Sequence, residues 1–297
     1  MTRIVTLGSL QPPFTVAPTP DALQQARLAL LQELLETARQ RGTHLALAPE
    51  MFNTFGLPRD SPLAAAAVPL DGTFVTTVQE MAARFGTALV MPIDARMEGA
   101  IWNCAVVIDG KGELVGVYRK VHPTRTELAA GRSAGSEFPV FDVTLRDGVV
   151  ARVGVQICHD NSFVESARCL ALAGAEILCW PHVQSGWGDV VWDIPLRSRA
   201  IDNGIWLMSS CYAVRGDAAW RPGMMVGRSG VVAPDGTILA DLGRDAGVAT
   251  ATIDLDQPRL VHSWSEDGDR PYVDEFRKDR RPDAYHAIVD PGGKTGH

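Results

Sequence analysis

Residues 149–161 read Val149-Val150-Ala151-Arg152-Val153-Gly154-Val155-Gln156-Ile157-Cys158-His159-Asp160-Asn161. Up to Ile157 the run has the β-branched, apolar content of a strand inside a parallel sheet. It stops at Cys158, and three polar residues follow. Ser162 to Leu172 then carries helical spacing, Gly174 ends it, and Glu176 to Trp180 is a short apolar strand again. Strand, helix and strand in this order form a parallel β-α-β unit, and such units bury their sheet beneath helices.

The same alternation extends in both directions. Arg3 to Leu10 reads as a strand. Thr19-Pro20-Asp21 starts a helix, with Pro preset for the first turn. Leu23, Leu30, Leu31, Leu34, Leu35 and Ala38 follow at helical spacing to about Gln40, and Gly42 stops it. His44 to Ala48 is a short strand ending at Pro49-Glu50. A helix over Thr73 to Phe85 precedes a strand over Ala88 to Ile93. Ile101 to Ile108 and Leu114 to Lys120 flank Asp109-Gly110-Lys111-Gly112, which is hairpin chemistry. Phe138 to Val143 reads as a strand. Val191 to Asn203 is a helix and Ile205 to Ser210 a strand. Gly230 to Ala233 and Ile238 to Ala240 flank Pro234-Asp235-Gly236-Thr237, a second hairpin. Val248 to Ile253 is the last strand expected. The fold class is therefore α/β, a sandwich of sheets covered by helices. A single domain is expected over residues 1–297. Its charged, Pro- and Gly-rich tail, residues 270–297, is expected to pack on a partner subunit or fray.

Lys plus Arg number 28 against 35 Asp plus Glu, giving a formal charge of −7. A net anion has no general attraction for nucleic-acid phosphates or anionic lipid. Five cysteines, an odd number with no Cys-x-x-Cys pair, argue against a disulfide framework and for a reducing compartment. The N-terminal residues run directly into a strand and lack the regions of a signal peptide, and no apolar stretch is long enough to span a bilayer. A cytoplasmic protein is expected, with no nucleic-acid or membrane partner. The seven histidines show no His-Glu-x-x-His spacing, so a metalloprotease reading has no support; neither a metal nor an organic cofactor is expected.

Three reactive residues close three strands. Glu50 follows His-Leu-Ala-Leu-Ala, Lys120 follows Leu-Val-Gly-Val-Tyr-Arg, and Cys158 follows Val-Gly-Val-Gln-Ile. Sites in α/β sheets form beyond the carboxyl ends of strands. A carboxylate, an amine and a thiol gathered there can carry out covalent hydrolysis of an acyl compound. Each residue alone has an ordinary reading: a core cysteine, a solvated carboxylate, a strand-end lysine. The polar run after Cys158 places it at the rim of the core and at a helix N-terminus, where a thiolate is favoured.

Longer segments decide between these readings. Ala48-Pro49-Glu50, Trp102-Asn103-Cys104-Ala105-Val106-Val107-Ile108-Asp109, Gly116-Val117-Tyr118-Arg119-Lys120-Val121-His122, Gly154-Val155-Gln156-Ile157-Cys158-His159-Asp160, Arg199-Ala200-Ile201-Asp202-Asn203 and Arg280-Arg281-Pro282 resemble, in order, the motifs of the nitrilase superfamily of carbon–nitrogen hydrolases. The resemblance implies an α-β-β-α sandwich that pairs into a homodimer or larger homo-oligomer. It implies Cys158 as nucleophile, Glu50 as general base and Lys120 as oxyanion stabiliser. Glu127, seven residues after Lys120, matches a second glutamate that orients substrate and lysine. The expected reaction is hydrolysis of a small amide through a thioester.

Departures from the family pattern bear on the substrate. Val164-Glu165 stands where Pro-Glu is common, Pro123 where leucine is common, and Pro181-His182-Val183 where Asn-Pro-Ser is usual. Ser210 or Cys211 replaces a frequent asparagine. Cys158-His159-Asp160 lacks the Cys-Trp-Glu run of nitrilases, and no arginine stands between Cys158 and Arg168 to hold a carbamoyl substrate's carboxylate. A neutral small amide is favoured over a carbamoyl compound or nitrile. His159, Phe55, Trp180 and His182 are candidate substrate-binding residues, with Phe52 and Trp187 as further wall candidates. Three rivals remain: a serine hydrolase built on Gly131-Arg132-Ser133-Ala134-Gly135, a non-catalytic binding scaffold, and an acyl transferase. The first requires Ser133 at a strand-to-helix elbow, which the surrounding sequence does not predict.

Overall fold

The structure, a computed structural model, describes residues 2–184, 192–214, 227–258, 260–263 and 268–289. The chain separates into two compact units, Met1–Gln257 and Pro258–His297.

The first unit opens with β1 (Ile4–Gln11) and α1 (Pro20–Gln40). Thr19 caps α1, its hydroxyl accepting from the Ala22 N–H at 3.3 Å, with Pro20 at the first turn as expected. The buried stripe of α1 is Leu23, Arg27, Leu31, Leu34, Leu35 and Ala38. Arg27 thus holds a core position that a hydrophobic count passes over, and Leu30 is only half-buried. There follow β2 (Leu45–Leu47), α2 (Leu63–Ala66), β3 (Val68–Pro69), α3 (Thr73–Phe85), β4 (Ala88–Met97), β5 (Ala100–Ile108) and β6 (Leu114–Arg119). The middle of the unit holds α4 (Arg125–Ala129), β7 (Arg132–Ser133), β8 (Val140–Thr144), β9 (Val150–Val155), α5 (Val164–Leu172) and β10 (Ile177–Pro181). It closes with α6 (Ile194–Asn203), β11 (Trp206–Ser210), β12 (Gly230–Val232), β13 (Ile238–Asp241) and β14 (Gly247–Asp254).

These strands make two sheets. One runs β14-β1-β2-β4-β5-β6, with β3 added to β4 and β7 to β5. The other runs β13-β12-β11-β10-β9-β8. Each has a parallel centre and antiparallel flanks. Strand alternation assigns the layers. Leu45 and Leu47 of β2 point with Val5, Leu7 and Val90 into the other sheet, where they meet Val153, Val155, Ile177 and Met208. Ala46, Leu89 and Met91 point the opposite way, against Leu31 and Leu35 of α1 and Phe74 and Val78 of α3. Each such aliphatic side chain, fully buried, contributes about 1.5–3 kcal/mol. On the far side, α5 lies so close to β9 that a Cβ on Gly154 would stand 3.1–3.2 Å from Leu170 and Ala175. The order of layers is helix, sheet, sheet, helix: the expected α-β-β-α sandwich.

In the second unit β15 (Leu260–Ser263) pairs antiparallel with β16 (Gly268–Pro271), followed by α7 (Tyr272–Asp279) and α8 (His286–Val289). The strand over 247–254 is therefore not the last, and the expected tail at 270–297 contains ordered helix. Its charged composition hid the helix, because none of the described side chains of α7 is buried. Among the described residues no helix is long and apolar enough to cross a membrane.

Candidate active site

Glu50 and Lys120 leave the first sheet just beyond β2 and β6, and Cys158 leaves the second just beyond β9. The sequence placed all three at strand ends. The structure adds that they come from facing sheets and meet where the inter-sheet core reaches its rim.

Lys120 and Glu50 are each 1 % exposed, and Lys120 Nζ donates to Glu50 Oε1 at 2.8 Å. The same ammonium donates to Glu127 Oε1 and Oε2, both at 2.9 Å. Glu127 is held from behind by the helix it starts: in a reciprocal capping box the Thr124 N–H donates to Glu127 Oε2 at 2.8 Å, and Thr124 caps the Glu127 N–H. Asn103 lies between the carboxylates, its Nδ2 donating to Glu50 Oε1 at 2.8 Å and to Glu127 Oε1 at 2.7 Å. The second Glu50 oxygen accepts from the Val183 N–H at 3.1 Å, and the Tyr212 hydroxyl donates to the Glu50 backbone carbonyl at 3.0 Å. The Cys158 thiol lies beside this set, within reach of the charges of Glu50 and Lys120.

The charge balance follows. Two carboxylates face one ammonium in a site with almost no water contact. Burial pushes the Glu50 carboxyl up, Lys120 opposes it, and the Glu127 charge adds to the rise. Burial also works against Glu127, but Lys120, the Thr124 N–H and Asn103 outweigh it and hold its pKa below the usual carboxylate range. Burial would lower Lys120, and the charges of Glu50 and Glu127 more than reverse that, so it stays protonated. Cys158 differs from the expected picture. It opens a single 3-10 turn, Cys158–Ser162, rather than the long helix, which begins at Val164. Burial and the neighbouring Glu50 charge push its thiol well above the ordinary value despite Lys120. The resting sulfur is a thiol, not the thiolate a helix N-terminus favours.

Cys158 has φ +46°, a left-handed conformation rare outside glycine, which costs on the order of 1–3 kcal/mol. The turn around it is over-determined. Trp180 Nε1 donates to the Cys158 carbonyl at 3.0 Å, and the Ile157 N–H donates to Asp160 Oδ2 at 2.8 Å. Trp180 is fully buried and stacks on His182 at 4.1 Å between ring centroids. It therefore braces the Cys158 backbone. His182 is also fully buried; burial pushes its pKa down to about 3, and it stays neutral. Its Nδ1 accepts from the Gln184 N–H at 3.3 Å, which leaves the proton on Nε2. His159 turns toward its own loop, with Nδ1 3.3 Å from Ser162 Oγ and its ring edge-on to Phe163 at 5.2 Å. Phe55 packs with Phe14 and Tyr212 at 5.3 and 5.4 Å. Phe52 belongs to the core against the first helix layer. Trp187 lies outside the described residues.

Sequence reasoning missed four contributors. Asn103 was seen only as part of a motif, and its two carboxylate bonds need the fold to bring Glu50 and Glu127 to it. The Val183 N–H is a backbone donor and carries no residue-type signal. Tyr212 reaches Glu50 from β11's end. Behind it lies Arg27, fully buried 4.2 Å over the Tyr212 ring and donating to the carbonyls of Pro13, Thr15 and Phe55. Ser133 of the Gly-x-Ser-x-Gly run sits in the two-residue strand β7 beside β5, not at a strand-to-helix elbow.

A two-sheet sandwich with a thiol, two carboxylates and an ammonium at its rim defines a class of covalent hydrolase. The family model described as carbon-nitrogen hydrolase matches residues 6–262, and the chain belongs to that family. It is a hydrolase of carbon–nitrogen bonds within the nitrilase superfamily. The chain is 30% identical over 288 residues to a deaminated glutathione amidase of Rattus norvegicus, covering 92% of this chain and 83% of that one. It is 28% identical over 233 residues to an omega-amidase of Xenopus laevis, covering 75% and 81%. Among solved structures it resembles a cysteine-to-alanine variant of a nitrilase-superfamily amidase from Nesterenkonia AN1, with a TM-score of 0.74, 25% identity and coverage of 96% and 97%.

Proposed function

We propose that this enzyme hydrolyses a small linear amide through a thioester on Cys158. The observation that supports it best is the buried ion pair beside the thiol: the Lys120 ammonium donates to the Glu50 carboxylate at 2.8 Å, and both charges act on Cys158. A neutral thiol is a weak nucleophile, so attack requires a base in contact with it. Glu50 takes the proton as sulfur adds to the carbonyl carbon, and its burial-raised pKa suits that exchange near neutrality. Charge developing on the carbonyl oxygen falls to Lys120 and the His159 backbone N–H, each such donor worth about 3–4 kcal/mol. Glu50 then delivers its proton to the leaving ammonia or amine. In the second half it activates water, which releases the carboxylate and restores the thiol. Glu127 and Asn103 keep Lys120 and Glu50 in place throughout.

His182, Phe55, Trp180 and His159 are proposed as substrate-binding residues, and their surroundings rank them. The neutral His182 presents an Nε2–H with no partner among the described residues, so it is the strongest candidate to meet a substrate oxygen. Trp180 and His159 are committed to the nucleophile's turn. Relatives named as amidases act on amides, which favours an amide over a nitrile here. Ammonia release from a panel of aliphatic amides and dicarboxylic monoamides tests this reading, with Cys158→Ala as control. Turnover that survives Cys158→Ala, or its absence across amides, carbamoyl compounds and nitriles, would overturn it. A homodimer is the proposed assembly; exposed Phe163, Val164 and Ile194 at the starts of α5 and α6 supply apolar surface for it.

A further inference from the structure

The mechanism needs the Lys120 ammonium and the Cys158 sulfur in fixed relation, yet they stand on different sheets with no covalent link closer than the intervening chain. The catalytic bonds alone do not fix that relation, because they must loosen as protons move. A second connection lies just behind them. Asp160 is fully buried, and its carboxylate accepts four hydrogen bonds. Oδ2 accepts from the Tyr118 hydroxyl at 2.6 Å and the Ile157 N–H at 2.8 Å. Oδ1 accepts from the backbone N–H and the Nδ1–H of His122, each at 2.9 Å. Tyr118 and His122 bracket Lys120 two residues to either side, and Ile157 immediately precedes Cys158. The Tyr118 oxygen also accepts from the Val121 N–H at 3.3 Å, which binds the segment a third time. Phe163, whose N–H donates to the Asp160 carbonyl at 3.1 Å, stacks on the His122 ring at 3.9 Å and closes the cluster.

We infer that Asp160 is the positioning residue of this active site, a single buried carboxylate that ties the Lys120 strand end to the Cys158 turn and holds the nucleophile in its left-handed conformation. This rests on the reading of Cys158 as nucleophile. Hydrogen bonds to a charged acceptor are the stronger kind, and here all four converge from two sheets. Asn at this position keeps one acceptor oxygen and puts an NH2 donor in place of the other, so one pair of the four donors loses its acceptor.

The test uses Asp160→Asn and, as a milder change that keeps the buried ring, Tyr118→Phe. Amide turnover is normalised to titrated active sites, and alkylation of Cys158 by iodoacetamide is followed by peptide mass. A misplacement of reacting groups costs up to about 100-fold in rate. The expected result for Asp160→Asn is a kcat fall of about 10–100-fold with KM within about twofold, and a parallel slowing of alkylation. Tyr118→Phe should show the same pattern at smaller size, which keeps the inference testable even where Asp160→Asn folds poorly. If both variants keep kcat per active site and the alkylation rate within about twofold of the parent, whatever their melting temperatures, Asp160 is merely structural and the inference falls. Turnover that persists in Cys158→Ala would instead overturn the underlying reading, and this inference with it.

Discussion

At the residue scale the site is set by opposite fates of two glutamates. Glu50 is raised by burial, so its contribution to stability is present below the ordinary carboxylate pKa and lost as pH rises through its folded value. Glu127 is depressed by Lys120, the Thr124 N–H and Asn103, so its contribution is present at neutral pH and lost as pH falls through its folded value. Glu50→Gln should therefore cut kcat by roughly 100-fold or more while leaving melting temperature equal or higher at neutral pH, and the stability difference should widen as pH rises. Glu127→Gln should lose stability at neutral pH, and the loss should shrink on acidification. Thermal melts of both variants across pH check the two signs together. Asn103 lowers Glu50 by a direct bond. Asn103→Leu should thus move the acid limb of kcat/KM to higher pH, as a pH–rate profile would show.

The element scale explains why distant residues arrive together. Glu50, Lys120 and Cys158 were legible as strand ends because apolar runs stop there and polar residues follow. The helix expected from Ser162 was legible too, but the 3-10 turn before it was not: Trp180, and Tyr118 and His122 acting on Asp160 within the turn, determine that geometry from other parts of the fold. Close backbone approach does similar work beside Lys120. The Gly135 N–H donates to the Lys120 carbonyl at 2.8 Å, and a Cβ on Gly135 would fall 2.3 Å from the Arg119 carbonyl oxygen. Gly135→Ala must push the β6 end away, with an expected stability loss of about 1–3 kcal/mol and a kcat loss larger than any change in KM. Denaturant unfolding and steady-state kinetics measure the two effects separately. The Gly131-to-Gly135 run, which suggested a serine nucleophile by pattern, is explained instead by this packing.

For the whole molecule, Glu50, Lys120 and Cys158 share one rim only because two sheets pack face to face. Ile177 is fully buried between them. Ile177→Ala should cost about 2–5 kcal/mol by denaturant unfolding, and activity should fall at temperatures well below the melting midpoint as the sheets loosen. Sedimentation velocity should find a species of twice the chain mass, and Phe163→Glu should shift it toward the monomer.

By itself the sequence determined the alternation of strands and helices, the α/β class and the three reactive strand ends, because hydrophobic periodicity and turn chemistry are local properties of the chain. Its motifs also marked the family. Only the tertiary structure decided that Glu50 and Lys120 face Cys158 across two sheets and that Asn103, Val183 and Asp160 fix them. It also decided that the resting sulfur is protonated. Proton affinity depends on burial and on charges a few ångströms away, and the charges acting on Cys158 belong to Lys120 and Glu50, which lie 38 and 108 residues from it in the chain.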